Sequence, residues 1–261
     1  MAFQNSKFNP GLSPFVKEVM TFEGGEESAK TYLPFFADGF PGLVYQKTAN
    51  GLKINPHKKL MSELFVYGQT LKPVEFDIPG KYQIIVCQLY PFALKRLFGI
   101  EPTSITDNCY DLTTYKNFQV VDVLKKLSSD TDIFHKVNTL SEFIDELTDA
   151  GKLLFDPPIL KAIEIILNAN GQLNLANMAP KLNLTKRTFE RRFFSETGLL
   201  PKQFAKIIQF QNSLTQLAAS DYNRLTDVVY QNGYADQSHF IRVFKSFTGK
   251  TPGQFTRKKI S

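Results

Sequence analysis

The segment FERRFFSETGLLPKQF at 189–204 is followed by a close copy of itself, FIRVFKSFTGKTPGQF at 240–255. The copies align without a gap, 51 positions apart, and nine of their sixteen positions are identical. The identical pairs are Phe189 and Phe240, Arg191 and Arg242, Phe193 and Phe244, Ser195 and Ser246, Thr197 and Thr248, Gly198 and Gly249, Pro201 and Pro252, Gln203 and Gln254, and Phe204 and Phe255. Such agreement is improbable by chance and predicts one structural unit used twice.

The first copy has the pattern of a helix-turn-helix unit. Its first helix is predicted from apolar residues at helical spacing, namely Leu175, Ala176, Met178, Ala179 and Leu182. Asn183 suits a left-handed turn and Thr185 suits an N-cap, after which Phe189 and Phe193 lie one turn apart on the inner face of a second helix. We therefore predict a first unit at about 173–197.

The second copy repeats this order. Its first helix is predicted from Leu225, Val228, Val229 and Tyr230. Gly233 supplies the turn, Asp236 caps the next helix, and Phe240 and Phe244 form its inner face. The second unit is thus predicted at about 225–248.

The second helix of such a unit enters the major groove, where its exposed residues reach base edges. With the phenylalanines inside, the outward and base-contacting positions are Lys186, Arg187, Glu190 and Arg191 in the first unit and Gln237, Ser238, Ile241 and Arg242 in the second. Thr185, His239 and Lys245 are candidates for phosphate contacts. Arginine suits guanine, glutamine adenine, glutamate cytosine and an apolar side chain the thymine methyl. The alternative is a merely solvated helix face, which the repeat of arginine at one offset disfavours.

A long helix is predicted between the units. Pro201 suits its first position, and an apolar face continues through Phe204, Ile207, Ile208, Leu214, Leu217 and Ala218 to about residue 219. Such a helix spans roughly 27 Å. It would hold the two units for successive major-groove segments, about 34 Å apart.

Positive charge is concentrated in the same part of the chain. From residue 155 onward there are 15 Lys and Arg against 7 Asp and Glu, a net +8; the whole chain is +6, which leaves −2 before that point. A basic domain attracts polyanions such as nucleic acid.

Together, LNLTKRTFERRFFSETGLLPKQF at 182–204 and GYADQSHFIRVFKSFTGKTPGQF at 233–255 resemble the DNA-binding domain of AraC/XylS-family bacterial transcription regulators. The resemblance implies Arg187, Glu190 and Arg191 as first-unit base readers, and Gln237, Ser238, Ile241 and Arg242 as second-unit readers. Two positions depart from the family pattern: Asn183 stands where glycine is frequent, and Phe194 where lysine is frequent.

The N-terminal part, about 1–150, is predicted to be β-rich to about 100 and then helical. Runs at 42–48, 63–69, 73–78 and 81–89, separated by Gly and Pro, favour a small antiparallel sandwich or barrel. A helical hairpin, packed on the barrel or on a second subunit, is predicted from Phe118, Val121, Val123, Leu124, Leu127, Leu140, Phe143, Ile144 and Leu147. This part resembles cupin-like sensor and dimerisation domains. The fold class is therefore α+β, with an all-α second domain at 155–261.

Motifs for other chemistry are missing from the sequence. His57 and His135 form no HxH pair, so no metal site is expected. Gly249, Lys250 and Thr251 imitate the end of a phosphate-binding loop, but Phe244 stands where that motif needs glycine. No cofactor or enzyme activity is predicted. Cys87 and Cys109 are expected to be buried thiols, and without a signal segment or an apolar run of bilayer length we expect a cytoplasmic protein with no membrane contact.

Three hypotheses follow. The leading one is a sequence-specific transcription regulator, constitutive or controlled by a small-molecule effector on the N-terminal domain. The second is a small-molecule-binding or enzymatic barrel with a DNA-binding appendage, and the third an architectural DNA protein without sequence preference. Double-stranded DNA is the expected partner; an effector, RNA polymerase and a second copy of the chain are further candidates.

Overall fold

The computed structural model describes residues 13–26, 29–114, 120–149 and 155–257. The chain divides into two compact units. The first comprises Met1–Phe35, Phe40–Thr70 and Val74–Leu154, and the second Phe36–Gly39, Leu71–Pro73 and Phe155–Ser261. Among the described residues, no helix combines the length and apolar character needed to cross a membrane.

The first unit contains two antiparallel sheets. The strands are β1 (Val16–Gly24), β2 (Lys30–Phe35), β3 (Gly42–Thr48), β4 (Leu52–Asn55), β5 (Lys59–Met61), β6 (Leu64–Tyr67), β7 (Val74–Pro79), β8 (Tyr82–Leu89) and β9 (Cys109–Asp111). One sheet has the order β1-β8-β3-β6-β9 and the other β2-β7-β4-β5. The predicted antiparallel sandwich is confirmed. The short strand β9 lies beyond residue 100, the predicted end of the β-rich part; a three-residue strand is too short to show periodicity.

Both faces of the central strands β3 and β8 are covered. Leu43 and Cys87, which face each other in register, belong to a core shared with helices. Val44 and Val86, the next pair, belong to the core that includes residues of the second sheet. Burial on both faces explains why β8 is a nearly continuous apolar run rather than an alternating one.

Three α-helices in the described part of this unit complete it: α1 (Ala93–Phe98), α2 (Val120–Ser129) and α3 (Ile133–Asp149). The predicted apolar positions Val123, Leu127, Leu140, Phe143 and Ile144 are buried in the same core as β3 and β8, so the hairpin packs on the sheet.

Val121 is 66% exposed, so its place in the predicted apolar stripe was wrong; the buried stripe of α2 runs instead through Val120, Val123 and Leu127. Phe118 lies outside the described residues.

Of the two thiols, Cys87 is buried and Cys109 half-buried, and burial raises the pKa of each to about 12.

The second unit is helical. It contains α4 (Pro157–Asn168), α5 (Met178–Lys181), α6 (Lys186–Thr197), α7 (Pro201–Ala219), α8 (Leu225–Gln231), α9 (Gln237–Thr248) and α10 (Pro252–Arg257). The helix predicted to start at Leu175 is interrupted: Leu175–Asn177 is a 3-10 turn and α5 starts at Met178. The Asn174 side chain accepts a hydrogen bond from the Ala176 amide at 3.0 Å and so caps the tighter turn.

Candidate nucleic-acid interface

The phenylalanine rings on the inner faces of α6 and α9 pack in the same way in the two copies of the repeated segment. The rings of Phe189 and Phe193 are 5.8 Å apart at 67°, and those of Phe240 and Phe244 are 5.6 Å apart at 63°. The next helix supplies a third ring in each copy: Phe204 is 5.8 Å from Phe193, and Phe255 is 5.5 Å from Phe244. These edge-to-face and tilted ring contacts fix the axial rotation of α6 and α9, because turning either helix would expose the rings.

The ends of α6 and α9 are also built alike. The hydroxyl of Thr197 donates to the Phe193 carbonyl at 2.8 Å and accepts from the Leu199 amide at 3.1 Å. The hydroxyl of Thr248 makes the same two bonds, to the Phe244 carbonyl and from the Lys250 amide, at 2.8 and 3.1 Å. Gly198 and Gly249 both have φ 73°, which explains why glycine ends both helices.

Each of these helices is preceded by a tight turn and a side-chain cap. Asn183 (φ 55°) and Gly233 (φ 69°) adopt the left-handed conformation that the sequence predicted. The Thr185 hydroxyl accepts from the Thr188 amide at 3.2 Å, and the Asp236 carboxylate accepts from the His239 amide at 2.7 Å. Both predicted caps are therefore present, so α6 and α9 begin at fixed residues.

The candidate base readers of α6 lie on one polar face. Lys186, Arg187 and Arg191 are exposed, and Glu190 is half-buried. Lys186 Nζ lies 4.0 Å from Glu190 Oε1, with side chains 83% and 46% exposed. A pair this exposed contributes little to stability, so both side chains can exchange it for contacts with another molecule.

The candidate readers of α9 are less charged. Gln237, Ser238 and Arg242 are exposed, and Ile241 is half-buried. The two faces therefore occupy matching positions on matching helices but differ in chemistry: α6 offers three cations and one carboxylate, and α9 one cation beside neutral groups.

The phosphate-contact candidates have different surroundings. Thr185 already uses its hydroxyl in the cap of α6, whereas Lys245 is exposed on α9. Half-buried His239 packs its ring 5.7 Å from that of Tyr234, and its Nδ1 is buried with no hydrogen-bond partner. A phosphate would therefore have to bind His239 through Nε2.

Arg192, next to the candidate base reader Arg191, holds α6 through hydrogen bonds that the sequence analysis did not predict. Its Nε donates to Asp156 Oδ2 at 2.7 Å and its Nη2 to Asp156 Oδ1 at 2.5 Å. Asp156 also accepts from the Ile159 amide, so one carboxylate caps α4 and holds α6. This hydrogen bonding raises the pKa of Arg192 above its usual value. A signal was available: the position equivalent to Arg192 in the second copy is Val243, which is buried.

The core beneath α9 includes a buried tyrosine that the sequence analysis also passed over. Tyr234 is 3% exposed, and its hydroxyl lies 3.3 Å from the hydroxyl of Ser213 on α7. Burial raises the pKa of Tyr234 to about 12. The side chain is thus an uncharged link between the second turn and α7 at neutral pH.

Comparison with known proteins matches each part of the chain to a family. The family described as "Helix-turn-helix domain" matches residues 178–258, which run from α5 through α10. The family described as "Domain of unknown function (DUF6597)" matches residues 8–111. An uncharacterized HTH-type transcriptional regulator of Bacillus subtilis, YtdP, is 22% identical over 253 residues, 94% of this chain. Residues 178–258 thus form a helix-turn-helix domain of the AraC type.

Other similar proteins bear on the AraC-type domain and on the fold. The HTH-type transcriptional activator RhaS of Yersinia pestis is 31% identical over 75 residues, 29% of this chain. The chain spans 30% of the length of the Bacillus regulator and 27% of that of RhaS. A solved structure of ToxT from Vibrio cholerae covers 92% of this chain and 97% of its own, with a TM-score of 0.51 and 12% identity. At that identity the likeness shows a shared fold.

The two departures from the AraC/XylS pattern have different structural consequences. Asn183 adopts the turn conformation that glycine would take, and asparagine tolerates it better than most residues do. Phe194, where the family often has lysine, is 41% exposed on α6. The fold of the first AraC-type unit is therefore retained, while its surface loses one positive charge.

Proposed function

We propose that this chain is a sequence-specific DNA-binding transcription regulator that inserts α6 and α9 into successive major-groove segments. One observation carries the proposal: two equivalent helices, fixed by the same aromatic core and caps, expose polar faces at the same positions. A helix with an exposed polar face at its N-terminal end is what the major groove admits.

The side chains suggest a division of labour. Arg187 and Arg191 would pair with guanine, Glu190 would accept from cytosine, and Gln237 would pair with adenine. In the second unit Arg242 would also bind guanine, with Ile241 against a thymine methyl and Ser238 as an adaptable polar contact. Lys186 would lie beside Glu190, while Thr185, His239 and Lys245 would contact phosphates.

The connecting helix supports simultaneous insertion. α7 has 19 residues, which corresponds to about 28 Å. One turn of B-DNA rises about 34 Å, so a rigid spacer of this length is commensurate with two reading heads on one side of the duplex.

The N-terminal part, about 1–150, is proposed as the sensor or dimerisation domain, and 155–261 as the DNA-binding domain. In this assignment the β-sandwich has no catalytic role, the protein acts in the cytoplasm, and an effector, RNA polymerase or a second copy of the chain modulates it. Gln69 favours binding of a small polar molecule in this domain, because the residue is fully buried and neither its Oε1 nor its Nε2 has a hydrogen-bond partner. Turnover of a substrate by the purified protein would instead support the enzymatic alternative.

Selection of binding sites from random DNA tests the DNA-binding proposal. The purified protein should recover one preferred sequence, and Arg242→Ala should lose about 1–3 kcal/mol on that site while keeping its affinity for random DNA. Equal losses of affinity for the selected site and for random DNA would show that Arg242 contacts phosphate rather than a base. Lys245→Ala is the matched control, expected to weaken both DNAs alike and to lower the salt slope by about 1. A footprint spread evenly along random DNA, with no preferred site, would favour the alternative of an architectural DNA protein.

A further inference from the structure

The turn of the second helix-turn-helix, residues 231–233, is contacted by two glutamines from outside that unit. Gln209 of α7 donates from Nε2 to the Asn232 carbonyl at 2.8 Å. Gln172, in the loop between α4 and α5, donates from Nε2 to the Gln231 carbonyl at 3.0 Å. The first half of the DNA-binding domain therefore touches the turn that leads into the second recognition helix.

The loop that carries Gln172 is itself fixed on α7. A Cβ added to Gly171 would lie 2.1 Å from the Ala205 carbonyl oxygen and 2.7 Å from the Gln209 amide nitrogen. Gly171 also has φ +73°, so the close approach and the backbone conformation both require glycine. This loop is therefore held against the same stretch of α7 that supplies Gln209.

Asn232 ties the turn to α7 a second time. Asn232 is 6% exposed, and its Nδ2 donates to Gln216 Oε1 at 2.7 Å and to the Val228 carbonyl at 2.9 Å. Gln216 donates in turn to Gln231 Oε1 and to the Asp221 carbonyl. Gln209 and Gln216 are two helical turns apart, so the turn is held at two points along α7.

We propose that Gln172 and Gln209 are positioning residues that fix the spacing and rotation between the two recognition helices, and hence the spacing between the two half-elements of the DNA site. The proposal rests on the proposed DNA-binding function. Asp236 and α9 follow the turn directly, so holding residues 231–233 sets where the second reading face begins. Adding or removing one base pair changes the separation of the two half-elements by roughly 3.4 Å and their relative rotation by about 34°. Two recognition helices held in a fixed arrangement cannot adapt to that change.

The geometry favours orientation over stability as the role of these bonds. Gln172 and Gln231 are exposed, and an exposed hydrogen bond contributes little to the free energy of unfolding because water replaces it. The fold is held instead by apolar packing: Phe210 of α7 is buried with Phe240 and Phe244 of α9, and the rings of Phe210 and Phe244 are 5.6 Å apart. Replacing the glutamines should therefore leave a folded protein whose two halves turn more freely.

The test uses the full chain and the DNA site recovered by random selection, together with versions carrying one base pair more or one fewer between the half-elements. We expect the wild-type protein to lose at least about tenfold in affinity on the altered spacings. Gln172→Met with Gln209→Met keeps side-chain length, adds no charge and removes both donors. In this double variant the spacing penalty should fall to about threefold or less, mainly through weaker binding to the native spacing. Asn168→Met, an exposed amide at the end of α4, is the matched control and should keep the wild-type penalty.

The outcomes separate the two proposals. If the wild-type protein selects no preferred site, the DNA-binding function fails. If it selects a site but the double variant keeps the full spacing penalty, or if the wild-type protein tolerates all spacings, the positioning role is overturned and the DNA-binding function stands. Thermal melting of each variant establishes that it is folded. Gln172→Met alone, at an exposed position, provides the same comparison should the double variant melt early.

Discussion

Arg191 and Arg192 are adjacent in sequence and have different surroundings. Arg191 is exposed on the polar face of α6, whereas Arg192 makes two hydrogen bonds with Asp156. The side chain of Asp156 is only 15% exposed, so water replaces its partner poorly if Arg192 is removed. The two arginines should therefore affect different properties of the protein.

Arg192→Ala is expected to lower the free energy of unfolding by about 1–2 kcal/mol, because a nearly buried carboxylate loses a paired charge. Arg191→Ala should change it by less than about 0.5 kcal/mol, yet weaken binding to the selected DNA site. Urea denaturation and DNA titration of both variants measure this. Equal destabilisation by the two changes would contradict the assignment of Arg192 as a structural partner of Asp156.

Gln69 offers a second contrast, within the first unit. In the protein without added ligand, Gln69→Leu should raise the free energy of unfolding by about 1 kcal/mol, because it removes a buried amide whose Oε1 and Nε2 have no partner. Gln88 is the control: it is 4% exposed, and its Oε1 accepts from Lys17 Nζ at 2.8 Å, so Gln88→Leu should destabilise. Chemical denaturation gives both values. A loss of stability in Gln69→Leu would mean that the amide binds a polar molecule in solution.

The helix ends show how one sequence pattern produces one structure twice. Thr197 and Thr248 are 0% and 4% exposed, and each hydroxyl joins the last turn of a recognition helix to the residue after the glycine. The following helix then begins at proline, with Gln203 and Gln254 each accepting from a backbone amide three residues earlier, at 3.0 and 2.9 Å. These contacts are local, which is why the repeat predicted them.

Thr248→Val should lower the free energy of unfolding by about 1–2 kcal/mol, because the buried hydroxyl loses its bonds with the Phe244 carbonyl and the Lys250 amide. Thr248→Ser keeps the hydroxyl and should recover most of that loss. The same pair of changes at Thr197 should behave alike, as followed by thermal melting with circular dichroism. A Thr248→Val protein as stable as the wild type would show that the shared threonine is not what ends the helix.

Some strands could not be predicted from the sequence. β3, β6 and β8 fall within runs that periodicity and Gly or Pro boundaries predict, and β7 extends one residue beyond its run. The other strands, β1, β2, β4, β5 and β9, lie outside those runs, and β5 and β9 have three residues each. Such short strands form because β4 and β6 lie beside them in the sheets, not because of their own composition. The partner of β5 is the preceding strand β4, whereas the partner of β9 is β6, which lies far away in sequence, so a long-range contact decided where that sheet ends.

Under the proposed function, the unlike exposed faces of α6 and α9 on one chain predict an asymmetric DNA site. α6 presents Arg187, Glu190 and Arg191, and α9 presents Gln237 and Arg242. The selected site should contain two unlike half-elements, about 10 base pairs apart. A site that is palindromic within the footprint of a single subunit would contradict this.

The halves of the site can be assigned by variants. Arg191→Ala should relax base preference in one half-element only, and Arg242→Ala in the other, each by about 1–3 kcal/mol at the affected base pair. Affinities of both variants for a set of single-base changes measure this. Loss of discrimination in the same half-element would show that the two helices do not read separate segments.

The sequence by itself determined the double helix-turn-helix, its caps and turns and its outward faces, because these depend on contacts between residues a few positions apart. The tertiary structure decided which neighbouring arginine faces solvent and which pairs with Asp156, and how Gln172 meets a turn 59 residues further along the chain. It also decided that β3 and β8 are covered on both faces. Such contacts join residues far apart in sequence, and they form only once packing brings distant elements together.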